Sequence, residues 1–272
     1  MISEADYKKL ADVIYRRTGI SLDLKRYHIL KPKLEKIMSN NDYKNFRSFF
    51  HDYRFDKNKS LKQDLLNTIT INETYFFREK YQFESLVNDI LYKIDSIRPK
   101  GETLRILCSP SSTGEEPYSI ALSLLIEDGI VNKRDIELVG IDIDSNVIEK
   151  AERGLFSKRS IQYIPKPTLD EYFEKKGMEY QIVDFLREAV EFKVVNVMDK
   201  YAMQRLGKFD VIFSRNMLIY FDDESRKKVA MTFYGMLKPK GVVFLGHAES
   251  MSRIVSVFKT AKSGESIYYI KD

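Results

Sequence analysis

One short segment combines a strand, a turn of small residues and two acids, and residues of these types at this spacing could hold a ligand. Leu104–Leu107 is largely apolar, Ser109–Gly114 is a turn of mostly small residues, and Glu115 and Glu116 begin a helical pattern. In open α/β sheets such a turn forms the nucleotide site, because small residues admit a ligand close to the backbone and the helix end offers free N–H groups. The segment therefore predicts a ligand site at a sheet edge.

The two acids restrict which ligand this turn can hold. The turn lacks the Lys of a G-x-x-x-x-G-K-[ST] loop and does not contain G-x-G-x-x-G, so neither phosphate-binding loop is present. Two carboxylates would repel a pyrophosphate, whereas S-adenosylmethionine (SAM) offers ribose hydroxyls, an ammonium group and a sulfonium and has no phosphate. The residues alone leave a second interpretation open, in which Glu115 and Glu116 only cap the helix.

Two further predicted strands end in polar residues that would reach the same crevice. Ile136–Ile141 leads into Asp142, and an acid at this place in a doubly wound sheet commonly binds ribose hydroxyls. Phe209–Phe213 is followed by Arg215 and Asn216. Because the carboxyl ends of parallel strands meet at one edge, we expect these side chains to lie near the small-residue turn.

Periodicity predicts the elements that must position these residues. Residues 1–70 carry helical apolar stripes and are expected to form a small helical domain. Residues 71–98 form a linker segment and a helix, and residues 99–272 alternate strands with helices. The alternating order is typical of an α/β fold with a doubly wound, mainly parallel sheet.

Three local details are also predicted. A helix is expected over Ile29–Met38 with Pro32 in its first turn, where a missing N–H does no harm. Tyr180–Val183 and Val190–Val195 are interpreted as strands of a small excursion from the main sheet. Ile267–Ile270 is expected to be a last strand, antiparallel to its neighbour.

The charge is distributed unevenly along the chain. Residues 1–70 carry 15 Lys+Arg and 9 Asp+Glu, a net charge of +6, whereas residues 71–272 have a net charge of −1. Such a basic domain favours an acidic partner such as nucleic acid, a membrane or an acidic protein surface, although a solvated helix face is the simpler alternative. The densest basic cluster consists of Arg16, Arg17, Lys25, Arg26, Lys31, Lys33 and Lys36.

Composition excludes several classes of protein. Cys108 is the single Cys, so neither an intrachain disulfide nor a Cys-based metal site is possible. The three His residues are far apart in sequence, which argues against a metal site. No apolar run reaches the roughly 18 residues of a membrane span and no signal-peptide pattern is present, so a cytoplasmic location is expected.

Seven short motifs in this order resemble the CheR-type chemotaxis receptor methyltransferases. The motifs are I-N-E-T-Y-F-F-R-E, S-T-G-E-E-P-Y-S, G-I-D-I-D, V-N-V, S-R-N-M-L-I-Y-F-D, L-K-P-K-G and L-G-H-A-E-S. Each motif alone is weak, but the ordered set is specific, and the resemblance runs from about residue 5 to 270. The resemblance implies a helical N-terminal domain and a Rossmann-like, SAM-dependent methyltransferase domain. It also implies an inserted small antiparallel β subdomain, at about residues 178–195 here.

The resemblance also implies which residues form the site. The cofactor contacts carried over by motif are Asn72, Thr74, Arg78, one of Glu115 and Glu116, Asp142, Asn196, Val197, Asn216 and Met217. Tyr220 stands where the family has an aromatic residue near the transferred methyl group. Arg78 or Arg215 would position the incoming carboxylate.

The activity implied by the resemblance is methyl ester formation on Glu side chains of chemotaxis receptors, with S-adenosylhomocysteine as product. A Glu carboxylate, with a pKa of about 4.3, is already ionised at neutral pH, so no general base is required. The basic helices would then meet the acidic helical region of the receptor. We expect a monomer without metal or nucleic acid.

Two other functions remain open from the sequence. A nucleic-acid methyltransferase would also bind SAM, but a base-flipping motif such as N-P-P-Y is absent. A non-catalytic SAM-binding module is favoured only by Pro110, which stands in the turn where the family has small residues. A proline there fixes φ and removes one N–H.

Overall fold

The computed structural model describes residues 2–126, Gly129 and 133–272. Within residues 2–70 the chain forms a helical unit whose core is built by the apolar stripes of its helices, from Ile2 to Ile69. The helices of this unit are α1 (Glu4–Thr18), α2 (Tyr27–Asn40), α3 (Phe46–Arg54) and α4 (Lys59–Ile69).

Local capping explains where the first two helices begin and end. Ser3 caps α1 through a capping box with Asp6, and Gly19, with φ of 72°, ends it in the left-handed conformation that glycine adopts easily. The side chain of Asp23 caps a 3₁₀ turn over Leu24–Arg26 that runs directly into α2. Because α2 therefore starts at Tyr27, Pro32 lies inside the helix, and the prediction that it falls in the first turn is wrong.

A linker joins the helical unit to the rest of the chain. Two adjacent buried aromatic residues, Phe76 and Phe77, anchor it in the core of the larger unit. Phe77 and Glu79 have φ of 57° and 56°, a left-handed conformation that is unusual for residues with a side chain. A helix follows in three parts: α5 (Lys80–Ser85), a π-helical turn and α6 (Leu91–Asp95).

The described part of the larger unit is organised around a seven-stranded sheet with the order β6-β2-β1-β7-β8-β10-β9. The first five strands in that order run parallel, and β10 and β9 are antiparallel additions at one side. These strands are β1 (Leu104–Cys108), β2 (Ile136–Asp142), β6 (Val190–Val194), β7 (Phe209–Ser214), β8 (Leu237–Leu245), β9 (Phe258–Ser263) and β10 (Ser266–Lys271). The predicted α/β class with a doubly wound, mainly parallel sheet is confirmed.

Helices cover both faces of this sheet. The linker helix with α7 and α8 covers one face, and α11 with α12 covers the other. Because both faces are covered, β1 and β7 are mostly apolar and lack a regular polar alternation, as parallel strands usually do. The remaining helices are α7 (Glu115–Ile126), α8 (Ser145–Arg153), α9 (Lys166–Tyr172), α10 (Asp184–Glu188), α11 (Lys200–Arg205) and α12 (Asp223–Met236).

The small antiparallel sheet exists, but its strands differ from those predicted. It has the order β3-β5-β4, with β3 (Leu155–Ser157), β4 (Phe173–Lys176) and β5 (Glu179–Ile182). Of the predicted range 178–195, only β5 belongs to it. Val190–Val194 is instead β6, the parallel edge strand of the main sheet, because Val190 and Phe192 bury one face of it against the core.

The C-terminal strand is confirmed as antiparallel. β10 pairs with β8, from Ile270↔Val242 to Tyr268↔Phe244, and on its other side it pairs with β9. β9 was not predicted from the sequence, because its exposed Lys259 and Lys262 give it little apolar character. In the described part of the chain, no helix is both long and apolar enough to cross a lipid bilayer.

Candidate functional site

A continuous cleft lies at the carboxyl edge of β1, β2 and β7, where the sequence predicts a site. It consists of a first cavity of about 680 Å³ and a second cavity of about 730 Å³. The residues that line both cavities, and therefore join them, are Ile71, Asn72, Pro110, Asn216 and Tyr220.

Asp142 lies on the wall of the first cavity and is buried. Its carboxylate accepts hydrogen bonds from the backbone N–H of Ser112 and of Asp144, each at 3.0 Å. Burial raises the pKa of Asp142 to about 6, although the backbone N–H groups oppose this rise. The nearby Asp144 has a structural role, since its side chain caps α8.

The turn after β1 depends on close packing against β2. A Cβ on Gly140 would lie 2.9 Å from the Cβ of Ser111 and 2.7 Å from the ring of Phe192. Only a glycine in β2 therefore lets the turn approach the strand this closely. This close approach brings Ser112 to Asp142 and places Pro110 on the cleft wall.

The linker forms a second wall of the cleft. Asn72 lines both cavities, and its side chain donates to the carboxylate of Asp144 at 2.8 Å. Thr74 and Arg78 line the second cavity. The guanidinium of Arg78 donates to the carbonyl of Glu73 at 3.1 Å, so this side chain is held within its own segment.

The second cavity contains a buried group of charged side chains. The side chain of Arg215 is 2% exposed, and its guanidinium lies 3.4 Å from the carboxylate of Glu116 and 3.7 Å from that of Glu79. It also donates to the carbonyl of Arg78 and lies over the ring of Phe83 at 5.1 Å. Burial raises the pKa of Glu116 to about 7, against the opposing effect of Arg215.

The two adjacent acids of the turn therefore have different surroundings. Glu116 lines the second cavity. Glu115 is buried beside Thr113 and Ser160, whose hydroxyls donate to its carboxylate at 2.5 and 2.6 Å. Glu115 does not line either cavity. Of the two candidates, the structure thus brings only Glu116 to the cleft.

The segment after β7 closes the cleft. Asn216 and Tyr220 line both cavities, and Met217 lines the first. Asn216 has φ of 56°, and its backbone N–H donates to the carboxylate of Glu249 at 2.9 Å. The same carboxylate accepts from the N–H of Gly246 at 2.9 Å, so Glu249 joins the ends of β7 and β8.

The V-N-V segment places its two predicted residues differently. Val197 lines the first cavity, but Asn196 does not. The side chain of Asn196 donates to the carbonyl of Arg17 at 2.7 Å and accepts from the N–H of Met198. Asn196 therefore connects the sheet to α1.

The seven basic residues of the helical unit fall into three groups. Arg17 is bound internally, to the carbonyls of Tyr53 and Arg54 and to Asp56. Arg26 lines the first cavity of the cleft and donates to the carbonyl of Ile69 at 2.7 Å. The third group lies at the surface of the unit and consists of Arg16, Lys25, Lys31, Lys33 and Lys36. Within it, Arg16 is paired with Asp12, and Lys31 is only partly exposed.

Several residues at or beside the cleft were not predicted from the sequence. Thr18, Ile20 and Ile69 of the helical unit line the first cavity, and no local pattern indicates this, because it depends on how two units pack. Glu79 and Glu249 did carry a signal. Each stands in a motif that also contains a predicted site residue or follows a predicted strand end.

The residues present fit SAM. In the described part of the chain, Nε and Nη1 of Arg215 and Oε1 of Glu116 are buried and have no hydrogen-bond partner. Unpaired buried polar atoms are costly, so a cationic and an anionic group side by side suit the ammonium and carboxylate of an amino acid. Asp142 in the adjoining cavity suits ribose hydroxyls. Fold and cleft together define a SAM-binding methyltransferase.

Comparison with known proteins makes the assignment specific. Residues 5–70 match the family described as CheR methyltransferase, all-alpha domain, and residues 72–267 match CheR methyltransferase, SAM binding domain. The chain belongs to the CheR methyltransferase family, and SAM is its cofactor.

Relatives of this family are similar over nearly the whole chain. Chemotaxis protein methyltransferase 2 of Vibrio cholerae is 42% identical, and the alignment covers 100% of this chain and 94% of the relative. The chemotaxis protein methyltransferase of Campylobacter jejuni is 36% identical, with 99% and 97% covered. The enzyme of the same name from Salmonella typhimurium is 30% identical, with 98% and 90% covered.

Proposed function

We propose that this chain transfers the methyl group of SAM to Glu side-chain carboxylates of chemotaxis receptors and forms methyl esters. The relatives named above are chemotaxis methyltransferases. An acidic side chain is a physically suitable acceptor, because a carboxylate is ionised at neutral pH and needs no general base. The receptor would present it on its cytoplasmic helical region, and the enzyme would act as a cytoplasmic monomer.

The cofactor-binding roles follow from the two cavities. Asp142 would accept hydrogen bonds from the ribose hydroxyls in the first cavity, with Val197 and Met217 beside the adenine. Arg215 and Glu116 would bind the carboxylate and the ammonium of the amino acid end in the second cavity. When bound, SAM supplies an electrophilic methyl group on a sulfonium leaving group.

The reaction then depends on alignment. Tyr220 lines both cavities and so stands at their junction, where the adenosine and amino acid halves of the cofactor would meet. Tyr220 would orient the acceptor at this point, and Arg78 would attract and hold its carboxylate. Holding two reactants in line can supply most of the catalysis in such a reaction.

The helical unit provides a basic surface for an acidic partner. Ile29, Lys33 and Lys36 recur at the spacing of one face of α2, Lys25 precedes them in the 3₁₀ turn, and all four are exposed. Ile29 is 64% exposed, which is unusual for an apolar residue between cations. A stripe of this kind suits an amphipathic acidic helix, because charges steer the encounter and the apolar residue contributes contact area.

One observation favours this function over the alternatives: the protein combines a cofactor cleft, with its buried Arg215–Glu116 pair, and this exposed basic stripe. The test is transfer of labelled methyl from SAM to a receptor cytoplasmic fragment, followed by mild base. A matched fragment with its acceptor Glu residues replaced by Gln serves as the control.

The outcomes separate the proposed function from its alternatives. Label on the fragment that mild base releases, and that the Gln fragment lacks, supports a carboxyl methyl ester. Base-stable label, or label on nucleic acid only, would contradict the proposed acceptor. SAM binding by calorimetry without any transfer would instead support the non-catalytic module.

A further inference from the structure

The linker segment holds the buried Arg215 of the second cavity. Nη2 of Arg215 donates to the carbonyl of Arg78 and lies 3.7 Å from Oε2 of Glu79. Its Cζ lies over the ring of Phe83, 5.1 Å from the ring centre. The linker therefore occupies one end of the guanidinium, while Nε and Nη1 have no hydrogen-bond partner among the residues that the structure describes.

Glu79 is fixed from two sides, although it does not line either cavity. On the outer side, its Oε1 lies 3.0 Å from Nδ1 of His247, in the segment after β8. On the inner side, its Oε2 accepts from Nε2 of Gln82 at 3.2 Å, and the same nitrogen donates to the carbonyl of Leu245 at 2.8 Å. The side chain of Glu79 is 11% exposed, so its carboxylate is tied to the end of β8 and is largely shielded from water.

The backbone that carries Glu79 has an unfavourable conformation. Phe77 and Glu79, on either side of Arg78, both have positive φ, which costs free energy in a residue with a side chain. In this conformation the carbonyl of Arg78 and the carboxylate of Glu79 face the same nitrogen of Arg215. Strain of this kind persists only where the surrounding contacts determine it, and it commonly accompanies a functional site.

We propose that Glu79 is a positioning residue that acts on the cofactor through Arg215. By holding Nη2 against the linker, Glu79 keeps Nε and Nη1 available to the carboxylate at the amino acid end of SAM. A mobile guanidinium would lose conformational freedom when the cofactor binds, whereas one that is already held loses less. The inference rests on the proposed contact between Arg215 and that carboxylate, and it requires no receptor.

The test measures binding of two ligands to the full chain by calorimetry. S-adenosylhomocysteine contains the amino acid end, and 5′-methylthioadenosine lacks it. Glu79→Asp keeps the charge but withdraws the carboxylate from Arg215 by one methylene. S-adenosylhomocysteine should then bind about tenfold more weakly, as expected when a contact to a charged group is impaired. The affinity for 5′-methylthioadenosine should stay within about twofold of the wild type. Glu84→Asp, at an exposed position of α5, should change neither affinity.

Glu79→Gln separates position from charge. Its amide oxygen can take the place of Oε2 and its NH2 can donate to Nδ1 of His247, so it should recover most of the affinity for S-adenosylhomocysteine. A Glu79→Asp variant that binds both ligands like the wild type would overturn the proposal. An equal loss for both ligands would also overturn it, since a general effect on folding does not distinguish the two halves of the cofactor. A Gln variant as weak as the Asp variant would show that charge and not position matters, against the proposal.

Arg215→Lys, measured with the same ligands, tests the contact on which the inference rests. It should weaken S-adenosylhomocysteine alone, because an ammonium group does not replace a planar guanidinium. If it does so and Glu79→Asp does not, the role of Glu79 fails while the contact of Arg215 stands. If Arg215→Lys changes neither affinity, the contact itself fails, and the role of Glu79 fails with it.

Discussion

The buried cation of the cleft and the exposed cations of the helical unit use positive charge in opposite ways. Arg215 is 2% exposed and lies within 4 Å of two carboxylates, whereas Lys33 and Lys36 are exposed on α2. A buried charge interacts strongly with fixed neighbours and hardly responds to salt, while exposed charges act weakly over longer distances and are screened. The cleft is therefore expected to set geometry and affinity, and the helical surface to set encounter rates.

Removing the buried cation should have the largest effect. Arg215→Ala leaves Glu116 and Glu79 buried without their shared partner, which is expected to cost about 3–5 kcal/mol in the free energy of unfolding. Urea denaturation measures this loss. The double variant Arg215→Met with Glu116→Gln should recover much of it, because the unpaired charge beside the cleft is gone. A single variant as stable as the wild type would show that these charges are not truly buried.

Removing Asp142, the acid proposed to bind the ribose hydroxyls, should have the second largest effect. Asp142→Ala is expected to weaken S-adenosylhomocysteine about 100-fold, since up to two hydrogen bonds to a charged group are lost. Calorimetry measures the affinity. Glu115→Gln is the matched control, because Glu115 is also a buried acid beside the same turn but lies outside the cleft. An equal loss in both variants would contradict the different roles assigned to the two acids.

The raised pKa of Glu116 predicts a pH effect of intermediate size. Between the unfolded value of 4.5 and the folded value of about 7, the folded chain holds a proton that the unfolded chain releases. The free energy of unfolding therefore rises as pH falls from about 7 towards 4.5, and this gain is lost again as pH rises to about 7. From pH 7.5 to 6.0, the wild type should gain roughly 1 kcal/mol relative to Glu116→Gln in urea denaturation of the ligand-free protein. Parallel pH profiles would disprove the shift.

Charge reversal on the helical surface should have the smallest effect. Lys33→Glu with Lys36→Glu is expected to raise the KM for a receptor fragment several-fold at low salt, and this difference should shrink at high salt as screening removes it. S-adenosylhomocysteine affinity should not change. Lys262→Glu, at the exposed far edge of the sheet on β9, provides the control. A salt-independent difference would indicate misfolding and not lost attraction.

The sequence predicted the parts of the site that depend on local pattern. β1, its turn and α7 follow one another without interruption from Leu104 to Ile126, so strand, turn and helix preferences are sufficient. The adjacent acids could not be separated in this way. Consecutive residues point roughly 100° apart around a helix, and the neighbours decide which of Glu115 and Glu116 meets the cleft.

Features that depend on packing between distant segments could not be predicted. β6 has alternating buried and exposed residues that suit either sheet, and the sequence does not name the partner of such a strand. Arg26 looked like its six basic neighbours because nothing local shows that the helical unit rests on the cleft. Its place on the cleft wall depends on contacts of Ile20 and Ser21 with the segment after β7, which are distant in sequence.

The position of β10 has a consequence for how the protein is made on the ribosome. β10 lies between β8 and β9, although both precede it in the chain. While residues up to Ser263 emerge from the ribosome, β8 therefore has an open edge and β9 has no strand to pair with. The last step of sheet assembly must await synthesis of Ser266–Lys271, and until then the nascent chain presents an unpaired edge on which a chaperone could act.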